Sequence, residues 1–340
     1  MKIVVLAGGL SPERDVSLTS GALIANALME NGNEVCLLDL YIGDSLEDKT
    51  VDDLFFTQAD EKVFHYAVGR KAPDLDQLKR DYGQGDKKLG PNVLKICMAA
   101  DVVFMALHGD IGENGQLQAT FDCFDIRYTG TGYAGSLIAM DKLIAKKLMS
   151  YDGINNADWV LIRRGEDVPT LDFPCVVKPL NCGSSIGVSI VRSDAELHQA
   201  LEYAFKYADD ILVEAYIPGR ELQVGVLLGQ ALPVIEIIPK GGFYDYENKY
   251  QAGMAEEVCP ADLPTDKTLE LQELALRVHR ALGLGSYSRI DFIMDPSGTV
   301  YCLEANTLPG MTPTSLIPQE AREAGISYNE LCQMIAESVG

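Results

Sequence analysis

The N-terminal part of the chain contains two short apolar runs with a helix-like pattern between them. KIVVLAGG (residues 2–9) and EVCLLDL (34–40) have the composition of buried strands. Between them, apolar residues recur at helical spacing from Val16 to Leu28, and Asn31-Gly32 ends that pattern. This order of strand, loop, helix and strand predicts an open parallel sheet. Ligands of such sheets bind beyond the carboxyl ends of the strands, so a binding site is expected there.

The chain is too long for one ordinary core, because its 340 residues exceed the usual size of a domain. A third strand-like run, ADVVFMALHG (100–109), follows a polar stretch that has the character of an elaborated connection. From Met140 onward, helices alternate with strands and glycine-rich turns in the manner of small α+β domains. These patterns predict two or three domains that share a cleft, with an N-terminal α/β domain followed by a distinct small α+β domain.

Charge and composition restrict the partners and the compartment of the chain. The formal net charge of −22 argues against nucleic acid and anionic membranes, since both repel a polyanion. No apolar stretch approaches the roughly 20 residues of a membrane-spanning helix, and the N-terminal run stops at two glycines, unlike a signal peptide. The eight cysteines are scattered without a CxxC pair, so buried free thiols in a reducing compartment are expected. These features predict a cytoplasmic protein.

Two strand-like runs near the C-terminus carry polar residues at alternating positions. The runs are SRIDFIMD and TVYCLEA, at residues 288–295 and 299–305, and Pro296-Ser297-Gly298 between them is a turn signal. An even-length hairpin would pair Met294 with Thr299 and place Arg289 opposite Glu304. Because side chains alternate between the faces of a strand, one face would be polar and the other packed. The polar face would contain Arg289, Asp291, Glu304 and Asn306, and the packed face Ile290, Phe292, Tyr301 and Leu303.

This polar face has the chemistry of a metal site. Two carboxylates and one amide oxygen suit Mg²⁺ (or Mn²⁺), which prefers a few hard protein oxygens completed by phosphate and water. Arg289 adds a fixed cation suited to phosphate. A surface salt bridge beside a helix N-cap at Asn306 is the alternative, and a single Asp/Arg pair would favour it. Four such residues in register, followed by TLPGMT, favour a metal site formed by Asp291, Glu304 and Asn306.

Two lysines and a glycine- and serine-rich loop are candidate phosphate contacts. Lys178 ends an apolar strand, Lys142 stands near the start of a predicted helix, and GSSIG (183–187) follows Lys178. Backbone N–H groups of that loop and the hydroxyls of Ser184 and Ser185 can cradle phosphate oxygens. Taken singly, a solvated lysine or a tight hairpin explains each feature as well. The loop is not a Walker A loop, and AGGLSPE lacks the GxGxxG fingerprint, which disfavours a Rossmann dehydrogenase.

In combination, these motifs resemble those of a known family. The chain is similar to ATP-grasp ligases in VVKPLNCGSSIGVS, VEAYIPGRELQVGVLLG, SRIDFIMD and CLEANTLPGMTPTSLIP. It closely resembles the D-alanine–D-alanine ligase family once SPERDVSLTSG, ALHGDIGENGQLQ, YTGTGYAGSLIAMDK and FYDYENKYQ are added. The similarity runs from the first strand to about residue 330, and only residues 41–96 lack a recognisable motif.

The resemblance implies an ATP-grasp fold, in which an open parallel-sheet domain (residues 1–130) precedes a central and a C-terminal α+β domain (131–212 and 213–340) that sandwich ATP. It implies the ATP-dependent ligation of two D-alanines through an acyl phosphate, with release of ADP and phosphate, for peptidoglycan precursor synthesis. It also implies a homodimer. Three alternatives stay open: a D-Ala–D-Ser ligase, a D-Ala–D-lactate ligase, and a catalytically silent nucleotide-binding protein on the same fold.

The same resemblance assigns nucleotide- and metal-binding roles. The phosphates of ATP would be contacted by Lys142, Lys178, Ser185 and, at the γ-phosphate, Lys249. Adenine and ribose would be held by Glu214, Glu221 and the backbone of Ala215 and Ile217. Two Mg²⁺ (or Mn²⁺) ions would be bound by Asp291, Glu304 and Asn306. This last assignment agrees with the interpretation of the strand pair from alternation alone.

The resemblance also places the two amino-acid substrates. Glu13 would pair with the ammonium of the first D-alanine, and His108 and Glu113 would line the same region. Without the resemblance, His108 would be taken as a strand-end residue with a satisfied hydrogen bond. Ser315 would bind the carboxylate of the second D-alanine. Leu316 stands where D-Ala–D-Ser relatives carry Arg, so an apolar side chain there indicates D-alanine.

Catalytic and lid residues complete the implied site. Arg289 and the N–H of Gly310 match the groups that stabilise the oxyanion of the tetrahedral intermediate. Ser184 and Tyr250 match the residues that lock the lid, which would occupy residues 241–260 and exclude water from the acyl phosphate. Relatives that make D-Ala–D-lactate replace the lid tyrosine with histidine, so Tyr250 again indicates D-alanine.

Overall fold

The part of the chain that the structure describes folds around three β-sheets, and the first of them is the parallel sheet. The computed structural model describes residues 1–60, 62–66, 73–181, 183, 186–239 and 255–339. The first elements are β1 (Lys2–Ala7), α1 (Arg14–Glu30), β2 (Glu34–Asp39) and, after a long connection, β3 (Val102–Met105). The strand order is β2-β1-β3, and both pairings are parallel. The predicted open parallel sheet is thus confirmed.

The polar connection between β2 and β3 packs along α1 and β2. It contains two short 3₁₀ turns and two helices, which are Asp52–Leu54, Gln58–Asp60, α2 (Leu75–Tyr82) and α3 (Val93–Cys97). Phe56 forms a bridge with Val35 of β2. The Asn26 side chain of α1 exchanges two hydrogen bonds with the backbone of Phe64, at 2.8 and 2.9 Å. These contacts fix the connection against the first sheet.

The second sheet is antiparallel and is reached through four helices. The helices are α4 (Asp110–Glu113), α5 (Gln116–Cys123), α6 (Tyr133–Met140) and α7 (Lys142–Tyr151). The sheet contains β4 (Trp159–Arg163), β5 (Cys175–Pro179), β6 (Ser189–Val191) and β7 (Asp210–Ala215), in the order β4-β7-β5-β6. Helix α8 (Asp194–Ala204) buries Leu197 and Leu201 against Val177 of this sheet.

The third sheet is antiparallel and carries the polar face predicted from the sequence. Its described strands are β8 (Arg220–Leu227), β9 (Gln230–Ala231), β10 (Ile235–Pro239), β11 (Ala255–Val258), β12 (Tyr287–Met294) and β13 (Val300–Asn306). The order is β11-β10-β8-β12-β13, and β9 pairs with β8. Helix α9 (Thr265–Ala281) covers one face, where Leu222, Leu271 and Phe292 are fully buried.

The turn between β12 and β13 makes the predicted hairpin register wrong. Met294 pairs with Val300 instead of Thr299. Asp295 begins a turn of odd length. Its side chain stabilises that turn by accepting hydrogen bonds from the N–H groups of Ser297 and Thr299, at 2.8 and 3.0 Å. Every pairing near the turn is therefore shifted by one residue.

A bulge at Leu303 shifts the register a second time. Beyond it, Asp291 lies opposite Glu304, and Arg289 lies opposite Asn306 instead of Glu304. The prediction that Arg289 faces Glu304 is therefore wrong. Successive side chains of a strand point to opposite faces, so two shifts of one residue each leave the side chains beyond the bulge on their predicted face. The four polar side chains consequently share one face, as predicted.

The packed face of this hairpin differs in part from the prediction. Ile290 and Phe292 are fully buried, as expected. Tyr301 and Leu303 are only half-buried, and Cys302 is in the core in their place. The shifted register causes this exchange, since it turns Cys302 towards Phe292.

Two C-terminal helices share the core of the first sheet. They are α10 (Leu316–Glu323) and α11 (Tyr328–Glu337). Ile317, Leu331 and Ile335 are fully buried in the same cluster as Ile3 and Leu6 of β1. Side chains far apart in sequence therefore cover the parallel sheet.

Two expectations from composition can be compared with the structure. Buried free thiols are found at Cys36, Cys97, Cys175, Cys302 and Cys332. Cys259 is half-buried and Cys123 is exposed, contrary to the expectation, and Cys182 lies outside the described residues. Across the described ranges, no helix combines the length and the apolar character that crossing a bilayer requires.

Candidate active site

Two adjoining cavities lie on the polar face of the third sheet. The larger cavity, of about 570 Å³, extends from that sheet to the loops that follow β1 and β3. The smaller cavity, of about 370 Å³, lies between the second and third sheets. Lys142, Gly183 and Glu304 line both cavities. The two spaces therefore meet at these three residues.

The residues singled out in the sequence are divided between the two cavities. The larger cavity is lined by Glu13, His108, Glu113, Arg289, Asn306, Gly310, Ser315 and Leu316. The smaller cavity is lined by Lys178, Glu214, Ala215, Ile217, Glu221 and Asp291. The remaining predicted residues, Ser184, Ser185, Lys249 and Tyr250, lie outside the described residues. The implied substrate residues and the implied nucleotide residues thus fall in separate but connected spaces.

A bidentate ion pair lies at the centre of the polar face. Arg289 donates from Nε and Nη2 to the two carboxylate oxygens of Asp291, at 2.8 and 3.0 Å. Alternation on β12 causes this pairing, because the two residues are separated by one position on the strand. Burial alone would lower the pKa of Arg289, but Asp291 and Glu304 raise it above its usual range. The guanidinium is therefore a permanent cation at the wall of the larger cavity, and its partner Asp291 lines the smaller one.

The oxygen ligands on this face fit a hard divalent cation. Asn306 donates from Nδ2 to Asp291 at 3.1 Å, which directs its amide oxygen away from that carboxylate. Glu304 is the register partner of Asp291. In the described part of the chain, no three His, Cys, Asp or Glu side chains converge as a metal cluster. The predicted set is of another kind, two carboxylates and one amide, and suits Mg²⁺ that keeps water or phosphate ligands.

Two lysines flank one carboxylate in the smaller cavity. Glu214 of β7 lies 2.7 Å from the Nζ of Lys178 and 3.3 Å from the Nζ of Lys146. Burial would raise the pKa of Glu214, but the two ammonium groups lower it. Lys146 is only 1% exposed, and burial lowers its pKa despite the attraction of Glu214. The cavity wall therefore holds a triad of charges with a net positive sign, in which Glu214 and Lys146 are buried and Lys178 is partly exposed.

A buried ion pair holds the loop that carries Glu13. Arg14 pairs with Asp39 of β2 and donates from Nη1 to the backbone oxygen of Gly9 at 2.8 Å. The N–H of Glu13 donates to Ser11 Oγ at 3.1 Å. These contacts fix the loop at the carboxyl end of the parallel sheet, where ligands of such sheets bind.

His108 and Glu113 lie beside this loop in partly dehydrated surroundings. His108 Nδ1 is 3.0 Å from the backbone oxygen of Leu308, and its Nε2 is buried with no hydrogen-bond partner among the described residues. Burial lowers the pKa of His108. Glu113 accepts the N–H of Gly109 at 2.6 Å, and burial together with the nearby Glu13 raises its pKa to about 8. Both groups therefore favour their neutral forms.

The turn before α10 brings two further predicted residues to the larger cavity. The Oγ of Ser315 accepts the N–H of Thr312 at 3.1 Å and lies 2.8 Å from the Thr312 hydroxyl. A Cβ on Gly310 would lie only 2.9 Å from Ser315 Oγ, so a side chain at this position would crowd the turn. Leu316 packs with Ile235 and Ile237, and forms the apolar end of the cavity.

The sequence reasoning missed two residues of the site. Lys146 follows Lys142 by one helical turn, so helical spacing could have indicated it. Gln223 lines the larger cavity, and it follows Glu221 by one alternation on β8. Neutral side chains such as Gln223 carry no signal of their own in a single sequence. Its place became evident only from the pairing of β8 with β12.

Comparisons with known proteins identify the family to which the chain is similar. The family model "D-ala D-ala ligase N-terminus" matches residues 2–131, and "D-ala D-ala ligase C-terminus" matches residues 147–337. The D-alanine–D-alanine ligase of Pediococcus pentosaceus is 46% identical over 343 residues, covering 98% of this chain and 96% of the relative. That of Lacticaseibacillus casei is 43% identical over 338 residues, covering 97% and 93%.

The fold of the chain is also similar to that of a solved structure. The crystal structure of D-alanine–D-alanine ligase from Bacillus anthracis complexed with ATP has a TM-score of 0.74 and 29% sequence identity. The similarity covers 100% of this chain and 97% of that chain. The predicted ATP-grasp fold is thereby confirmed. Because the two family models together, and each of the relatives, cover most of its length, the chain belongs to the D-alanine–D-alanine ligase family.

Proposed function

We propose that this chain joins two D-alanines into D-alanyl-D-alanine, with ATP as the phosphoryl donor, and so supplies a precursor of peptidoglycan. The observation that carries the proposal is the junction of the two cavities at Lys142, Gly183 and Glu304. A cavity suited to a nucleotide opens there into a cavity suited to amino acids. The names of the relatives support D-alanine as the substrate, and the Bacillus anthracis ligase complexed with ATP supports the nucleotide.

The smaller cavity has the walls that a nucleotide needs. Val176 and Ile190 form apolar surface suited to a base, and Glu221 is placed for the ribose hydroxyls. Lys178 and Lys142 supply positive charge for the phosphates. Glu214, held between its two lysines, keeps this wall charged and hydrogen-bonded in the absence of ligand.

The junction of the cavities is the place for the metal. Asp291, Glu304 and Asn306 would hold two Mg²⁺ (or Mn²⁺) ions. When bound, these ions neutralise the charge that develops on the transferred phosphoryl group. Arg289 shares the carboxylate of Asp291 and adds a cation that does not depend on metal.

The larger cavity has the groups needed for two amino acids. Glu13 binds the first ammonium, and Ser315 binds the second carboxylate. A carboxylate oxygen of the first D-alanine attacks the γ-phosphorus of ATP, and ADP leaves with the electron pair of the broken bond. The nitrogen of the second D-alanine then forms a bond to the acyl carbon, phosphate leaves with the C–O electron pair, and the nitrogen loses a proton to solvent. Arg289 and the N–H of Gly310 stabilise the intermediate oxyanion.

Further family features belong to the same proposal. The chain divides into domains at residues 1–130, 131–212 and 213–340, and residues 241–260, of which the structure describes only 255–260, act as a lid that excludes water from the acyl phosphate. Ser184, Ser185, Lys249 and Tyr250 act with that lid. The protein works as a homodimer in the cytoplasm. Each of these features is carried over from the family.

The direct test of the proposal is an ADP-release assay on the wild-type chain with ATP and Mg²⁺. We expect ADP release that requires D-alanine, with D-alanyl-D-alanine identified by mass. Release of ADP that is indifferent to D-alanine, or tight ATP binding without turnover, would contradict the proposal. The second result would point to a catalytically silent nucleotide-binding protein.

A variant assay tests the metal ligands. Glu304→Gln keeps the shape of the side chain but removes one anionic oxygen, so we expect activity to fall by at least about a hundredfold and to require more Mg²⁺. The matched control is Glu273→Gln, whose carboxylate forms an exposed pair with Arg280 at 3.2 Å on α9. Equal activity of the two variants would remove Glu304 from the metal site.

A competition assay tests the second substrate. D-Alanine, D-serine and D-lactate compete at equal concentration over a range of pH, and product masses are measured. We expect D-alanyl-D-alanine to predominate, because Leu316 offers a methyl-sized apolar surface and no partner for a hydroxyl. A predominance of the D-Ala–D-Ser or D-Ala–D-lactate product would instead assign one of the related activities.

A further inference from the structure

Gln223 is a buried polar residue that the proposed mechanism does not use. It lies in the middle of β8, is 2% exposed, and lines the larger cavity. Its side-chain oxygen Oε1 is buried without a hydrogen-bond partner in the part of the chain that the structure describes. An amide oxygen withdrawn from water and left unpaired is unfavourable, so a ligand that donates a hydrogen bond to it would be bound favourably.

The position of Gln223 in the sheet places it beside the reacting groups. It is the register partner of Asp291, which is in turn the partner of Glu304. Directly paired residues of antiparallel strands project to the same face, so these three side chains form one row. On its other side, Gln223 pairs with Ile235, which packs with Leu316. The carboxamide therefore stands between the metal face and the apolar end of the cavity.

The chemistry of the unpaired atom restricts its partner to a hydrogen-bond donor. Phosphate oxygens and carboxylates are acceptors and cannot bind an amide oxygen directly. Arg289 already donates from Nε and Nη2 to Asp291. Glu13 is the anion assigned to the ammonium of the first amino acid. Among the groups of the two amino acids, the donor that is not yet assigned is the amino group of the second, whose carboxylate is assigned to Ser315.

We propose that Gln223 binds the second amino acid by accepting a hydrogen bond from its amino group through Oε1. The inference rests on the proposed function. A neutral acceptor suits this position, because the amino nitrogen of the second amino acid must be uncharged in order to attack the acyl phosphate. A carboxylate at residue 223 would favour the ammonium form, which has no lone pair to donate. Gln223 thus orients the nucleophile without stabilising its inactive form.

Two substitutions test the inference in the full-length protein, with ADP release followed at saturating ATP and Mg²⁺. Gln223→Met keeps the length of the side chain but removes the acceptor. We expect it to raise the KM of the second D-alanine about tenfold, the loss expected for one hydrogen bond, with the KM of ATP unchanged. Gln223→Glu restores an acceptor but adds charge, so the acid limb of the kcat/KM profile for the second D-alanine should move to higher pH.

The control variant is Gln272→Met on α9. Gln272 donates to the backbone oxygen of Leu232 at 2.9 Å, on the opposite face of the same sheet. Its loss should affect stability without changing the KM or the pH profile. An unchanged KM in Gln223→Met, or an unchanged pH profile in Gln223→Glu, overturns the inference. If the wild type forms no ADP with D-alanine, the proposed function fails first, which separates the two failures.

Discussion

Buried charges determine much of the chemistry of this protein at the scale of single residues. Lys146, Lys178 and Glu214 form a charged triad inside the wall of the smaller cavity, where screening by water is weak. Each ammonium depends on the same carboxylate for compensation. A buried pair of this kind stabilises little relative to apolar residues, but loss of one member leaves an uncompensated charge.

The first prediction concerns this triad. Glu214→Gln should destabilise the protein by about 3 kcal/mol, because two lysines would lose their counter-charge inside the wall. The free energy of unfolding in urea measures the effect. Glu166→Gln is the matched control, since its ion pair with Arg163 at 3.5 Å is exposed and should change stability by less than about 1 kcal/mol. Equal losses in both variants would show that the triad is not buried as described.

The second prediction concerns how the free energy of unfolding depends on pH. The pKa of Glu113 is raised from 4.5 to about 8 in the folded state, so the folded chain keeps a proton that the unfolded chain releases between these values. Stability is therefore lost as pH rises through this window. Urea unfolding at pH 5 and pH 9 should show a smaller loss in Glu113→Gln, which has no proton to release. A loss of the same size in the variant would assign the pH dependence to other groups.

At the scale of secondary-structure elements, the close approach of β8 and α10 shapes the substrate side of the third sheet. Glu320 of α10 is fully buried, and its Oε2 accepts the N–H of Gly225 at 2.9 Å. A Cβ on Gly225 would lie 2.4 Å from that oxygen and 2.6 Å from Ile317. The absence of a side chain at Gly225 therefore allows α10 to pack directly against β8.

The third prediction follows from this contact. Gly225→Ala should destabilise the protein by about 2 kcal/mol, because the methyl group overpacks a filled site and displaces the Glu320 hydrogen bond. Thermal unfolding provides the measurement. Gly132→Ala is the control, since a Cβ there meets only the Tyr128 hydroxyl at 3.8 Å, an ordinary contact. The prediction fails if both variants unfold at the same temperature.

The β12–β13 hairpin shows which of its features can be predicted from the sequence and which cannot. Alternation placed Arg289, Asp291, Glu304 and Asn306 on one face, because a period of two survives an even shift. The predicted register is wrong for two reasons. The side chain of Asp295 closes a longer turn, which is a local effect that Asp-Pro-Ser-Gly could have indicated. The bulge at Leu303 has no signal in the local sequence pattern.

The residues of the two cavities differ in the same way, because some can be recognised from local motifs and others only from contacts across the fold. Charged candidates such as Lys178 and Glu13 stand in motifs that resemblance made recognisable. Lys146 and Gln223 gain their positions from contacts across the fold, with β7 and β12 respectively. The exposed Cys123 also departs from expectation, because its place at the end of α5 is not apparent from composition.

At the scale of the whole molecule, the core of the first sheet is completed by elements that are far apart in the sequence. Helix α11 lies against α1, and the side chain of Asn33 donates to Gln333 at 2.8 Å. Leu331 and Ile335 of α11 complete a core that begins with β1. The parallel sheet therefore depends on residues that follow it by more than two hundred positions.

The fourth prediction tests this dependence. Leu331→Ala should cost about 3 kcal/mol through the cavity it creates, and should accelerate hydrogen exchange at the amides of β1 as well as at those of α11. Leu269→Ala is the control, since that side chain is 60% exposed on α9. Faster exchange confined to α11 would mean that the helix is not part of the same cooperative core.

The shared core of β1 and α11 has a consequence for synthesis of the protein on the ribosome. The strands and α1 emerge first, while the helix that covers them has not yet been translated. Until Ile335 has left the exit tunnel, the apolar surface that will contact it stays uncovered and open to chaperones or to wrong partners. Vectorial synthesis therefore delays completion of the first sheet until α11 has been made.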